Sequence, residues 1–247
     1  MLMHNNISIL EKRVDTKIIK QYVAQIIDHG YDERFLELLR VICICNDVSV
    51  KKNQTAITEA LLASAETREK LIFSLKANGE FIMVKNPFEP DNEDSFWCLE
   101  DFKGKCLQFD SDRNQGKSKC EGDRSEKGIK TYKYFYNMLY LLGDICRDRN
   151  KEAIEILRSC YDFETSVAII QSDKYPKEIR AAIVYLVEHL YINVSPFRII
   201  NYPTLVKFWS KIDENISPLS FMDPNKLKLF EPLKKFVYSY LNETSNR

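Results

Sequence analysis

The sequence contains very little glycine, with 7 residues among 247, although 45% of its residues are hydrophobic and 12% are aromatic. A many-stranded barrel or sandwich needs more turn residues than this number of glycines supplies. We therefore expect a mostly helical protein. An excess of charge is absent too, because 36 Lys and Arg balance 36 Asp and Glu. A chain without net charge has no overall field that would attract nucleic acid or anionic lipid, which disfavours both as partners.

Long hydrophobic runs are also missing. The longest, Ala181 to Val187, ends at Glu188 and is far shorter than the roughly 18 residues that a membrane-spanning helix needs. The first residues lack the basic start and apolar core of a secretory signal. We therefore predict a cytoplasmic chain without membrane insertion, in which the 7 cysteines, an odd number, stay reduced.

Histidine is scarce, and catalytic motifs are not found in the sequence. The 3 histidines His4, His29 and His189 are a small supply of general bases, and no Gly-x-Ser-x-Gly elbow or glycine-rich phosphate loop accompanies them. The cysteines lack the Cys-x-x-Cys spacing of zinc sites, and the acidic residues lack the spacing of an EF-hand. We therefore predict no enzyme, no catalytic, ligand-binding or metal-binding residues and no cofactor.

Apolar residues recur at helical spacing over most of the chain. The first clear helix runs from Asp15, a capping residue, to Gly30, a typical helix end. Further helices are predicted over residues 35–43, from near Asn53, from Thr67 to Gly79, from Tyr132 to Cys146, and over 152–160, 163–171, 176–190, 203–212 and 226–242. We expect the apolar stripe of the last helix to face inward.

The pattern changes between the two helical stretches. Residues 81–84 and 96–99 are short apolar runs on either side of a polar stretch, which predicts a small β-hairpin. The segment from Gly104 to Gly128 is polar and charged, which predicts a disordered linker. We therefore divide the chain into a first helical solenoid segment (1–79), a hairpin with a flexible linker (80–128) and a second solenoid segment (129–247).

About ten short helices with wide apolar faces and short connections suit a stack of helical hairpins. The predicted fold is accordingly all-α, an armadillo-like helical solenoid with a small β-hairpin and a disordered internal linker. A globular helix bundle stays open as the alternative, because the sequence shows no strict repeat.

Several short motifs resemble one family of cytosolic sequences. They are His4-Asn5-Asn6 before Leu10-Glu11-Lys12, Cys43-Ile44-Cys45-Asn46 before Asn53-Gln54, Cys146-x-Asp148-Arg149, Tyr175-Pro176 before Ile179-Arg180-Ala181, and Trp209-Ser210-x-Ile212. In this order they resemble the shared RIH homology domain of inositol trisphosphate receptors and ryanodine receptors. The resemblance spans nearly the whole chain.

The resemblance implies an armadillo-type helical module at the cytosolic face of the endoplasmic reticulum. Such a module would belong to a calcium-release channel, tetrameric in the family, and would couple ligand-driven domain motion to the gate. The family's ligand-binding core and pore lie outside the matched region, so no ligand residue is transferred. The alternative function is a free-standing armadillo-like adaptor whose concave face binds a protein partner.

The residues that carry these motifs are predicted to be structural or interdomain contacts. We expect Asn53 and Gln54 to form hydrogen bonds at a helix start or turn, and Asp148 with Arg149 to form an ion pair or helix cap. Pro176 would start a helix, and Trp209 would anchor the core. The alternative is that Asp148-Arg149 and Arg180 form an interdomain contact.

Overall fold

A computed structural model describes residues 6–30, 32–78, 81–85, 87, 96–99, 124–194 and 224–245. The chain divides into two compact units, Met1–Ser195 and Pro196–Arg247. The described residues are predominantly α-helical with a few short strands, which confirms the all-α prediction and is consistent with a helical solenoid.

Four of the first five helices begin after a polar residue whose side chain caps the helix. The elements in this part are α1 (Ile7–Arg13), α2 (Thr16–His29), α3 (Glu33–Cys43), the short strands β1 (Ile44–Cys45) and β2 (Val48–Ser49), α4 (Lys51–Leu62) and α5 (Ala65–Leu71). The side chains of Asn6, Asp15, Asp32 and Ser64 accept hydrogen bonds from backbone N–H groups in the first turns of α1, α2, α3 and α5. Gly30 ends α2 with a φ of 69°, as its sequence position predicts.

A three-stranded antiparallel sheet follows, made of β3 (Ser74–Asn78), β4 (Phe81–Lys85) and β5 (Phe96–Cys98). The pairing of β4 with β5 confirms the predicted hairpin, with Met83 opposite Cys98. The helix predicted from Thr67 to Gly79 is wrong in its second half. Residues 74–78 are extended instead and pair along their length with β4, with Ser74 opposite Lys85. The pairing with β4 overrides the local helical pattern, because strand formation depends on neighbouring strands as well as on local sequence.

The second helical stretch begins with the long helix α6 (Arg124–Cys146), which continues into a 3-10 turn (Arg147–Arg149). It is followed by α7 (Lys151–Leu157), α8 (Phe163–Gln171), α9 (Lys177–Val187) and a π-helical turn (Glu188–Ile192). Since α6 starts at Arg124, the predicted linker is wrong for residues 124–128, where Arg, Glu and Lys favour helix. Residues 104–123 of that linker lie outside the described part.

The core of the first unit joins the two helical stretches. The long helix α6 packs against α3 on one side and α9 on the other, while α2 and α4 pack on each other. Phe73, 1% exposed, lies where the stretches meet, with its ring centroid 5.1 Å from that of Phe135 and its carbonyl accepting a hydrogen bond from the hydroxyl of Tyr161. Residues far apart in the sequence therefore share one core.

The described part of the second unit is one helix, α10 (Pro224–Ser245). Its apolar stripe was expected to face inward, and that expectation is wrong for four of its residues, since Leu229, Val237, Tyr240 and Leu241 are exposed. The predicted helix over 203–212 lies outside the described residues. Among the helices that the structure describes, none combines the length and apolarity needed to cross a membrane.

Candidate functional site

Polar contacts connect the first helical stretch to the second where α3, β2 and α4 face the end of α6. We call this set the polar junction. It consists of Arg40, Ser49, Gln54 and Thr58 on the first side and Asp144, Asp148 and Asn150 on the second, with Tyr185 of α9 beside them. The residues that meet are about a hundred positions apart in the sequence, so the junction holds together two separate segments.

Asp144 is the centre of the junction and is only 2% exposed. One carboxylate oxygen accepts from Nε of Arg40 at 2.8 Å, and the other accepts from the hydroxyl of Tyr185 at 2.6 Å. A buried carboxylate is costly unless its oxygens have donors and its charge has a counter-charge. Both conditions are met only when α3, α6 and α9 are together, so Asp144 connects three helices.

Gln54 of α4 donates hydrogen bonds to the C-terminal end of α6. Its Nε2 donates to the carbonyl oxygens of Asp144 at 3.2 Å and Arg147 at 2.7 Å. Carbonyls in the last turn of a helix have no partner within the helix, so a side-chain donor from another segment stabilises that end. The thiol of Cys43 donates to the same Asp144 carbonyl at 3.7 Å, and burial together with the charge of Asp144 raises the pKa of that thiol, which therefore stays protonated.

Two turns of unusual backbone conformation lie side by side at the exposed edge of the junction. Asn46 and Asp47 join β1 to β2 with φ values of 50° and 63°, and Asp148 and Arg149 follow α6 with φ values of 55° and 66°. Asn and Asp adopt this left-handed conformation more readily than other non-glycine residues, so Arg149 is the least expected of the four. Polar contacts join the second turn to the first turn and to β2.

Asp148 supplies the closest of these contacts. One of its carboxylate oxygens accepts from the backbone N–H of Ser49 at 3.0 Å and from the Ser49 hydroxyl at 2.6 Å, while Arg147 forms an ion pair with Asp47 at 3.5 Å. Partial burial raises the pKa of Asp148, but the Ser49 hydrogen bonds and the charge of Arg147 outweigh burial and leave that pKa below its ordinary value of 3.8.

An aromatic wall covers Asp144 on the side of α9. The Arg40 guanidinium lies 4.8 Å from the ring centroid of Tyr140, and that ring lies 5.4 Å from the ring of Tyr185. Burial, and then the hydrogen bond and charge of Tyr136, raise the pKa of Tyr140 to about 12, so the hydroxyl stays neutral. Gly143 leaves room for the Tyr185 ring of this wall, because a Cβ at position 143 would lie 2.6 Å from two of its ring atoms.

Asn53 and Asn150 extend the polar contacts along α4. The side-chain nitrogen of Asn53 donates to the carbonyls of Leu10 at 3.1 Å and Ile42 at 2.9 Å, where α1 and α3 meet α4. The side-chain nitrogen of Asn150 donates to the hydroxyl of Thr58 at 2.9 Å. These bonds give buried carbonyl and hydroxyl oxygens a donor, and they connect α4 to its neighbours.

The residues named from the sequence are divided between the junction and other places. Asn53, Gln54 and Asp148 lie in or beside the junction, and Arg149 is exposed at its edge. Pro176 is buried at the start of α9. Arg180 lies outside the junction, where it donates to the carbonyl of Ile170 at 3.0 Å and pairs with Asp173 at 2.6 Å. Trp209 lies outside the described residues.

Sequence reasoning missed the central residues of the junction, Arg40, Gly143, Asp144 and Tyr185. One local signal was present, because Gly143 and Asp144 interrupt an otherwise apolar stretch of a long helix. Nothing local pointed to the partners of Asp144. Within the described residues, no group of three or more His, Cys, Asp or Glu side chains could hold a metal ion.

Comparison with known sequences adds independent information. Residues 1–74 match the family model described as the RIH domain. The chain is 22% identical over 192 residues to the inositol 1,4,5-trisphosphate receptor-like protein A of Dictyostelium discoideum, a match that covers 78% of this chain and 5% of that protein. It is 23% identical over 226 residues to the inositol 1,4,5-trisphosphate receptor itr-1 of Caenorhabditis elegans, covering 87% of this chain and 7% of that protein. The chain thus spans only a small fraction of these relatives.

Proposed function

From the assignment of this chain to the inositol trisphosphate and ryanodine receptor superfamily, which the RIH-domain and receptor matches support, we propose that it is a helical module of a calcium-release channel. The module lies at the cytosolic face of the endoplasmic reticulum as part of a larger assembly. Within this proposal residues 1–79 end one helical segment, and the second segment, predicted over 129–247, begins instead with α6 at Arg124. Within this proposal other parts of the receptor hold the pore and the ligand-binding core, and the chain acts as a part of the receptor rather than as an enzyme.

The observation that carries the proposal is the polar junction. A module that passes motion between distant parts of a channel has to move as a body, and packed helices with discrete contacts transmit shifts in that way. Arg40 and Tyr185 connect helices from both segments through the buried carboxylate of Asp144, and both oxygens of that carboxylate accept a hydrogen bond. A displacement of the first segment would therefore move the second segment with it, because the junction prevents the two segments from bending relative to each other.

The test is an immunoblot of fractionated native cells with an antibody against residues 176–212, which reports the mass and the compartment of the protein. The proposal predicts a membrane-associated band several-fold heavier than 29.0 kDa. A band at 29.0 kDa that is free of membranes would overturn it and would favour the alternative, a free-standing adaptor that binds a protein partner.

A further inference from the structure

His189 occupies an unusual position next to the polar junction. It lies in the π-helical turn after α9, where the N–H of Asn193 donates to the carbonyl of Glu188 at 2.7 Å, and it is 6% exposed. Turns of this type depart from regular α-helix and occur often at functional sites. The ring of His189 packs edge-on against Tyr185, with centroids 4.7 Å apart. Tyr185 in turn donates to Asp144, so the histidine supports the centre of the junction.

One ring nitrogen of His189 lacks a partner. Its Nδ1 is buried and finds no hydrogen-bond partner in the part of the chain that the structure describes. A neutral ring tolerates this position, because Nδ1 can then be the unprotonated nitrogen and leaves only a weak acceptor unused. A protonated ring carries hydrogen on both nitrogens, so a charged donor would be buried without an acceptor.

The charges around the ring come from every element that packs on it. Asp144 comes from α6, Arg147 and Asp148 come from the 3-10 turn, and Glu188 comes from the π turn itself. Tyr185 is the titratable neighbour on α9, and Arg158, which directly follows α7, donates to the carbonyl of Leu190, the residue after His189. Burial and the charge of Arg147 outweigh the three carboxylates and lower the pKa of His189 below its ordinary value of 6.5.

We propose that His189 is a pH-sensitive latch of the polar junction. The neutral ring holds the π turn and Tyr185 against α6, and a proton taken up at the ring releases them. Release moves the ring from its buried place into water. The inference concerns the chain itself and goes beyond the proposed function. It does not depend on whether the chain is part of a channel.

The expected size follows from linkage. The open form protonates near pH 6.5 and the closed form at a lower pH, so opening becomes more favourable as the pH falls below 6.5. At pH 5.5, one unit below the ordinary histidine pKa of 6.5, the ring is mostly protonated in the open form. If the ring stays neutral in the closed form, the equilibrium shifts toward the open form by about tenfold. Above pH 7 the opening equilibrium changes little.

The test is amide hydrogen exchange of the 247-residue chain at pH 7.5 and pH 5.5, with protection factors corrected for the intrinsic rates. The latch predicts that amides of residues 185–193 and 144–150 lose protection by up to about tenfold at the lower pH. His189→Gln removes the titration and should abolish this loss. His29→Gln is the matched control, since His29 is exposed and bonds to the carbonyl of Gln25, and it should keep the loss.

Two results would overturn the latch. One is a loss of protection that His189→Gln retains, which would assign the effect to another group. The other is wild-type protection that does not change between the two pH values. Should His189→Gln fail to fold, an NMR titration of the wild-type histidines replaces it, and a His189 signal that titrates at or above pH 6.5 contradicts the proposal.

Discussion

At the scale of single residues, the junction depends on two adjacent positions of α6, Gly143 and Asp144. Asp144 is a buried acid whose two oxygens are bonded by groups from two other helices. Gly143, beside it, leaves room for the ring of Tyr185. Charge and space at adjacent positions of α6 thus determine whether α3 and α9 can both approach the same helix.

Replacing Gly143 with alanine is the sharpest test of that fit. Alanine favours an α-helix over glycine by about 1 kcal/mol, whereas forcing an extra carbon into a packed site costs about 1–3 kcal/mol. The new Cβ would lie 2.6 Å from a ring that is fixed by its bond to Asp144, so we expect the packing cost to dominate. Urea unfolding should show a net loss of about 1 kcal/mol in the free energy of unfolding.

A double-mutant cycle supplies the control for Gly143. In a Tyr185→Ala background the ring is gone, so Gly143→Ala should be neutral or stabilising through helix propensity alone. An equal loss of stability in both backgrounds would show that the close approach to Tyr185 is not the reason for glycine at this position.

At the scale of elements, most of the helices could be predicted from the sequence, because local patterns specify them. Periodic apolar residues, Asp15 and Gly30 were enough to predict α2, and residues 163–171 were predicted with the same limits as α8. The strand β3 was missed because its partner β4 stabilises it from outside its own sequence. The bond between Arg40 and Asp144 could not be predicted at all, since it joins positions 104 residues apart and has no local signature.

Asn53 tests how α4 is attached to α1 and α3. Asn53→Ala leaves the carbonyls of Leu10 and Ile42 without their side-chain donor, and an unsatisfied buried group costs about 1–3 kcal/mol. We expect a loss of about that size, measured by chemical denaturation. The matched control is Thr55→Ala on the exposed side of the same helix, which should leave stability nearly unchanged. Equal effects of the two substitutions would contradict the role given to Asn53.

The paired turns predict an acid dependence with a definite sign. The pKa of Asp148 is lowered in the folded chain, so its contribution to stability is present above pH 3.8 and disappears as the pH falls through the lowered value. Ser49→Ala removes one of the hydrogen bonds that lower this pKa. Thermal melts between pH 7 and pH 3 should therefore show a shallower acid loss for the variant, and identical profiles would refute the coupling.

At the scale of the whole molecule, the first unit combines helices from both ends of its sequence into one packed body. Such a body can pass a displacement from one side to the other only while its internal contacts persist. Weakening the junction should therefore separate the movements of the two segments without removing the helices themselves.

Asp144→Asn is the variant that weakens the junction with the least change of shape. It keeps the size of the side chain but removes the charge that faces Arg40. Breaking a buried ion pair costs about 3–5 kcal/mol, and the Arg40 side chain is 32% exposed, so we expect about 2 kcal/mol in the free energy of unfolding. Asp173→Asn is the control, because its carboxylate is 95% exposed in its pair with Arg180, and chemical denaturation should detect no change.

The most direct test of the account measures inositol trisphosphate binding and evoked calcium release in membranes from native cells whose protein carries Asp144→Asn. If the chain is part of a calcium-release channel, as proposed above, we expect wild-type binding with markedly reduced release, because the junction is proposed to pass on motion and not to hold the ligand. The Asp173→Asn protein should release calcium as the wild type does. Full release from the Asp144→Asn protein, with its loss of stability verified, would contradict the claim that the polar junction transmits the signal.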